Sequence, residues 1–194
     1  MQITSRIGRI VQLDGILLAI LITSLAINVY LGVSRNQAAA APRSRPELIP
    51  TGSSAPVFEG TTLAGGKVTV DFRKDKRATL LYVFSPTCHW CERNLANITA
   101  IMKARPDLHV IGVNVGPPLD NISLARQPFS EILTPTRATA QAYRFSGTPS
   151  TLLISSSAKV LGTWTGAYAG PIAADISQAF AVSLPGLLDD RAPR

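Results

Sequence analysis

Thr79–Asn94 reads TLLYVFSPTCHWCERN, and both cysteines of the chain lie inside it. Thr79–Phe84 is β-branched, aromatic or aliphatic at every position, the pattern of a short strand buried on both faces. Ser85-Pro86-Thr87 turns the chain. Beyond it Cys91, Leu95, Ile98 and Met102 recur at helical spacing, with Glu92, Arg93, Asn97 and Lys103 largely opposite, and Pro106 ends the segment. This predicts a strand, a turn and one helix. Cys88 then falls at the helix N-terminus, where unpaired N–H groups and the dipole favour a thiolate. Cys91 falls one turn later on the core-facing stripe.

Two such unequal thiols suit dithiol exchange. Cys88 is expected to attack or be attacked by a partner sulfur, and the shielded Cys91 to resolve the mixed disulfide. A purely structural disulfide is disfavoured, because closing so small a loop constrains the unfolded chain little. Half of a zinc site is disfavoured too: besides the cysteines the chain offers only His89 and His109 towards four ligands. No metal and no cofactor is expected.

Upstream, Gly15–Val33 is 19 residues without a charge, long enough to cross a bilayer as a helix. The expected organisation is a cytoplasmic N-terminus at 1–14, a signal anchor at 15–33, a linker at 34–52, a folded domain at 53–184 and a frayed tail at 185–194. Arginines flank both ends of the apolar span, and an Ala-x-Ala pattern within Ala38–Ala41 offers an alternative cleavage site. Either route places the domain outside the cytoplasm. Of the net charge of +7, residues 1–46 contribute +4 and residues 47–194 only +3. So mild a domain charge argues against a nucleic-acid partner.

Val57–Phe72 alternates around Gly65-Gly66 as a β-hairpin, and Leu108–Val115 reads as a strand parallel to Thr79–Phe84. His109 lies in that strand and is expected to be a packed or edge residue. Gly116–Pro128 gives no periodic signal; Phe129–Leu133 suggests a short strand and Thr136–Tyr143 a capped helix. Gly147-Thr148-Pro149 precedes Thr151–Ser155, a further strand. From this segment alone Pro149 is read as an ordinary turn element, with a site-shaping cis proline as the alternative. Lys159–Gly166 completes a second hairpin, and Ile172, Ile176, Phe180 and Leu184 mark a closing helix after Pro171.

A strand, a Cys-x-x-Cys helix, a strand, a strand–helix excursion, Thr-Pro, a hairpin and a last helix is an α/β order that resembles the thioredoxin-like fold, a central mixed sheet flanked by helices. Over about residues 53–184 the chain looks like the membrane-anchored TlpA-like and ResA-like thiol-disulfide oxidoreductases. Cys88-His89-Trp90-Cys91 and Gly147-Thr148-Pro149 carry the likeness. The resemblance implies that Pro149 is cis and lies beside Cys88, and that the Thr148 backbone pairs with a partner's extended chain. Departures are as informative. Thr87 stands where family members usually carry Trp, Tyr82 where cytoplasmic thioredoxins bury an Asp, and Asn94 where some anchored relatives have Glu. Glu92 is a speculative substitute for that acid, and His89 could tune the Cys88 thiolate. Trp90 offers a client an apolar surface. Peroxidase chemistry is disfavoured by Leu81 and Ser85, where the peroxiredoxin motif needs Pro and Thr.

These residues lead to a protein-disulfide reductase acting on disulfide-bearing client proteins, fed by an upstream membrane electron donor. The alternative is a membrane-tethered binding or assembly module whose cysteines are dispensable.

Overall fold

The computed structural model describes residues 21–30 and 48–188. The chain divides into two units, Met1–Arg45 and Pro46–Arg194. In the first, residues 21–30 form a helix, α1. The remainder of the 15–33 span, with residues 1–14 and 34–47, lies outside the described residues. Among the described residues no helix is long and apolar enough to cross a membrane.

The second unit is built on a seven-stranded sheet. In chain order come β1 (Phe58–Thr62), β2 (Lys67–Val70), β3 (Thr79–Phe84), α2 (His89–Arg93), α3 (Leu95–Ala104), β4 (His109–Asn114) and α4 (Asn121–Ala125). They are followed by β5 (Ile132–Pro135), α5 (Arg137–Tyr143), β6 (Ser150–Ile154), β7 (Val160–Thr165) and α6 (Gly170–Phe180). The strands lie in the order β2-β1-β5-β4-β3-β6-β7, with β4 parallel and β6 antiparallel to the central β3.

β3 explains the layering. All six of its residues are buried, and successive side chains point to opposite faces. Leu81 and Val83 join Phe58, Ile111, Leu152 and Tyr143 on one side. Leu80, Tyr82 and Phe84 join Cys91, Ile98, Ile101, Ile176 and Phe180 on the other. The dithiol helix and α6 therefore share one core layer. α5 belongs to the other layer, capped by Thr136 Oγ1, which accepts from Thr139 N at 3.1 Å.

The structure corrects several expectations. The single helix after the cysteines is two helices, broken at Asn94, whose backbone N–H is shared between the carbonyls of Trp90 and Cys91, each at 3.2 Å. Asn97, placed on the polar side by periodicity, is fully buried, as is Ile101. The predicted stripe itself is kept, since Leu95, Ile98 and Met102 pack on the same core layer as Cys91. β5 starts at Ile132 rather than Phe129, and the unreadable 116–128 stretch holds α4, capped by Asp120.

Both edges of the folded unit also move. Leu48 and Ile49, assigned to the linker, are buried in the first core layer, and Gly52 N donates to Val160 O at 2.8 Å. At the other end residues 185–188 do not fray: Leu188 N donates to Arg93 O at 2.8 Å and Gly186 N to Asn97 Oδ1 at 2.9 Å. Residues 189–194 lie outside the described residues.

Candidate functional site

β3 ends at Phe84 and the chain turns at once. Cys88 N donates to Ser85 O at 3.0 Å, and Ser85 Oγ bonds Thr87 Oγ1 at 3.0 Å, so the turn is fixed by its own short polar side chains. It is also hemmed in from behind. A Cβ on Gly116 would come within 2.7 Å of Ser85 Cβ and 3.0 Å of Pro86 Cδ, so only glycine lets the end of β4 approach this closely.

Cys88 is the N-cap of α2, and its sulfur accepts from Cys91 N at 3.1 Å. Cys88 is half-buried, whereas Cys91 is 4% exposed inside the second core layer. The two are joined as a disulfide, with Cα atoms 5.2 Å apart. One sulfur thus sits where a partner can approach, next to an N–H that favours its anionic form; the other is sheltered.

A pocket of about 50 Å³ opens beside the pair, with Phe84, Pro86, Cys88, Cys91 and Glu92 on one wall and Ser123, Arg126 and Gln127 on the other. Glu92 is exposed and accepts from Arg126 Nη1 at 3.2 Å. It is therefore a pocket-rim carboxylate and not a buried acid. His89 and Trp90 lie on the exposed side of α2, ring against ring at 5.7 Å, and the Arg93 guanidinium sits 5.0 Å from the Trp90 ring centre.

Thr148 and Pro149 reach the same end of the sheet by register. Ser150 pairs with Val83, so the residues before it lie beyond the carboxyl end of β3, where the cysteine turn begins. The Thr148–Pro149 peptide bond is cis, as the family resemblance implies and against the turn reading of the segment alone. Pro149 O accepts from Gly166 N at 2.8 Å, which ties the segment to β7.

Sequence reasoning missed the polar cluster beneath the helix. Asn94 Nδ2 donates to Tyr82 Oη at 3.2 Å, and Asn94 Oδ1 accepts from Asn97 Nδ2 at 3.0 Å and from Tyr168 N at 3.1 Å. Tyr168 Oη in turn bonds Thr151 Oγ1 at 2.6 Å. Every member is buried, and burial raises the Tyr82 and Tyr168 hydroxyls well above their ordinary range, so both stay neutral. The two positions singled out as departures, 82 and 94, thus satisfy each other. His109 is remote from all this, paired with Thr79 at the opening end of β3. Its Nε2 lies 2.8 Å from Glu131 and its Nδ1 3.2 Å from Asp75, the second contact close enough for an ion pair but not aligned as a hydrogen bond. Asp75 itself is held down to about 2, chiefly by its hydrogen bonds with Arg77.

A central β3 leading into a Cys-x-x-Cys helix, with a cis proline opening the antiparallel neighbour, decides the architecture. The chain has a thioredoxin-like fold. The thioredoxin domain of a thiol-disulfide oxidoreductase from Bacteroides vulgatus superposes with a TM-score of 0.54, at 18% identity over 68% of this chain and 98% of that one. A thioredoxin-family thiol:disulfide interchange protein from Chlorobium tepidum gives 0.50, at 20% identity over 62% and 89%. A thiol-disulfide oxidoreductase from Bacteroides fragilis gives 0.51, at 18% over 66% and 98%. No protein-family model and no curated protein sequence matches the chain. Within the thioredoxin-like fold of this chain, among the described residues, no group of three or more His, Cys, Asp and Glu side chains is arranged to hold a metal.

Proposed function

We propose that this protein is a thiol-disulfide oxidoreductase that reduces disulfides of client proteins through Cys88 and Cys91. The observation that carries the reading is the unequal burial of two sulfurs already joined in one bond: Cys88 half-exposed at a helix start, Cys91 enclosed. In the reduced protein the Cys88 thiolate attacks one client sulfur, the client S–S bond breaks, and the departing client sulfur takes a proton. Cys91, having lost its proton, then attacks Cys88 Sγ and releases the second client thiol. Two electrons and two protons end on the client, and the Cys88–Cys91 disulfide of the present structure is the product. An upstream dithiol donor regenerates the pair. Thr148, exposed enough to reach and next to Pro149, supplies backbone groups for an extended client chain, and Trp90 an apolar contact.

The cellular setting is part of the same reading. The uncharged 15–33 span anchors the chain in a bacterial inner membrane, with the folded unit on the periplasmic side, where a dedicated reductant acts against an oxidising background. Cys91→Ser protein should trap client mixed disulfides through Cys88, Cys88→Ser should trap none, and the wild type should reduce insulin. If Cys91→Ser traps nothing and the wild type leaves insulin intact, the dispensable-cysteine module takes its place.

A further inference from the structure

The segment that follows α6 is fastened to the dithiol helix at one residue. Arg93 Nε donates to Leu188 O and Leu188 N donates to Arg93 O, both at 2.8 Å, a reciprocal pair 95 positions apart in sequence. Gly186 N adds a bond to buried Asn97, and Val182 and Leu184 pack on the second core layer. The same Arg93 places its guanidinium 5.0 Å from the Trp90 ring. Trp90 is 50% and Leu188 42% exposed, two large apolar residues that both contact one arginine, and Trp90 lies two residues from Cys88.

We propose that Arg93 is a positioning residue which, clamped by the strap 182–188, holds Trp90 and Leu188 as an apolar platform for the client side chain that neighbours the reacting cysteine. The proposal rests on the dithiol reading above and adds the client class: disulfide-bearing chains with a large apolar residue next to that cysteine. A planar guanidinium suits the task. It donates along its edge to the Leu188 carbonyl while its charged face attracts the indole, which a lysine ammonium cannot do in one geometry. Exposed apolar side chains lose little when unpartnered one at a time, but two held by one arginine on the dithiol helix present a fixed contact at low entropic cost.

The test uses the reduced full-length protein and three oxidants: a disulfide peptide with Leu beside its cysteine, the same peptide with Gly there, and 2-hydroxyethyl disulfide. Wild type should prefer the Leu peptide by about threefold, the scale of burying about 25 Å² of the Leu side chain. Arg93→Ala, Trp90→Ala and a chain ending after Leu184 should each bring the ratio to about one, and the Arg93→Ala/Trp90→Ala double variant should fall no further. Arg93→Lys should recover part of the preference. Rates with 2-hydroxyethyl disulfide, which carries no side chain for the platform, should stay unchanged in Arg93→Ala. An undiminished Leu/Gly ratio in Arg93→Ala overturns the proposal. If wild type reduces none of the three, the dithiol reading fails first. Acrylamide quenching then still decides the positioning claim, since Trp164 is 9% exposed and the accessible signal belongs to Trp90. Arg93→Ala must raise it, and equal quenching sinks the claim.

Discussion

Asn94 donates its amide to the Tyr82 hydroxyl at 3.2 Å, joining the break in the dithiol helix to the centre of β3. The same amide oxygen accepts from Asn97 and from the Tyr168 backbone, so one side chain satisfies groups on β3, α3 and the loop before α6. Removing it strands all three. Asn94→Ala should destabilise the folded unit by about 3 kcal/mol, against about 1 kcal/mol for Tyr82→Phe, which removes a single bond. Urea unfolding of the two variants checks this; equal costs would mean that Asn94 is not the hub.

Alkaline pH should unfold the protein through its buried tyrosines. Burial raises Tyr82, Tyr143 and Tyr168 above their ordinary value of 10.0. Above that pH the unfolded chain releases protons that the folded chain keeps. Stability is thus fully present below pH 10 and is lost as pH rises toward the folded values. The expected slope is up to about 4 kcal/mol per pH unit for three such groups. Tyr143 also donates to Pro56 O, a bond lost with its proton. Denaturation midpoints measured from pH 8 to 11 decide the matter, and a flat profile would rule the mechanism out.

Gly116→Ala should disturb the cysteine turn without touching a cysteine. The added methyl meets Ser85 and Pro86, three and two residues before Cys88. Pushing the turn outward by even a fraction of an ångström should slow Cys88 in disulfide exchange by about tenfold. Stopped-flow reaction of the reduced protein with a small disulfide is the measurement, and an unchanged rate refutes the link.

Thr79→Val should stabilise. Thr79 begins β3 fully buried, and its hydroxyl has no hydrogen-bond partner among the described residues. Replacing it with a methyl of similar shape removes a desolvation penalty of about 1 kcal/mol. A lower melting temperature in the variant would show that the hydroxyl is satisfied after all.

Much of the arrangement was legible in local pattern. β3 announced itself because every residue in it is apolar or β-branched, and the hairpins because alternation and paired glycines survive in short windows. α5 was readable from its Thr cap. The helix break at Asn94 was not, since its cause lies twelve residues upstream in Tyr82 and far downstream in Tyr168. Asn97 was misassigned for the same reason: its partner Gly186 comes from a segment with no periodicity. Nor did any signal in 116–128 announce that Arg126 would bond Glu92 across the pocket.

The sequence by itself determined the order of elements, the two-faced burial of β3 and the placement of one sulfur at a helix start with the other turned inward. Those depend on spacing and on side-chain character within a few residues. Only the tertiary structure decided that Tyr82 and Asn94 satisfy one another and that residues 186–188 are strapped to Arg93 and Asn97. Each of these is a contact between parts of the chain remote in sequence, and a buried polar group finds its partner only once the backbone has brought the two together.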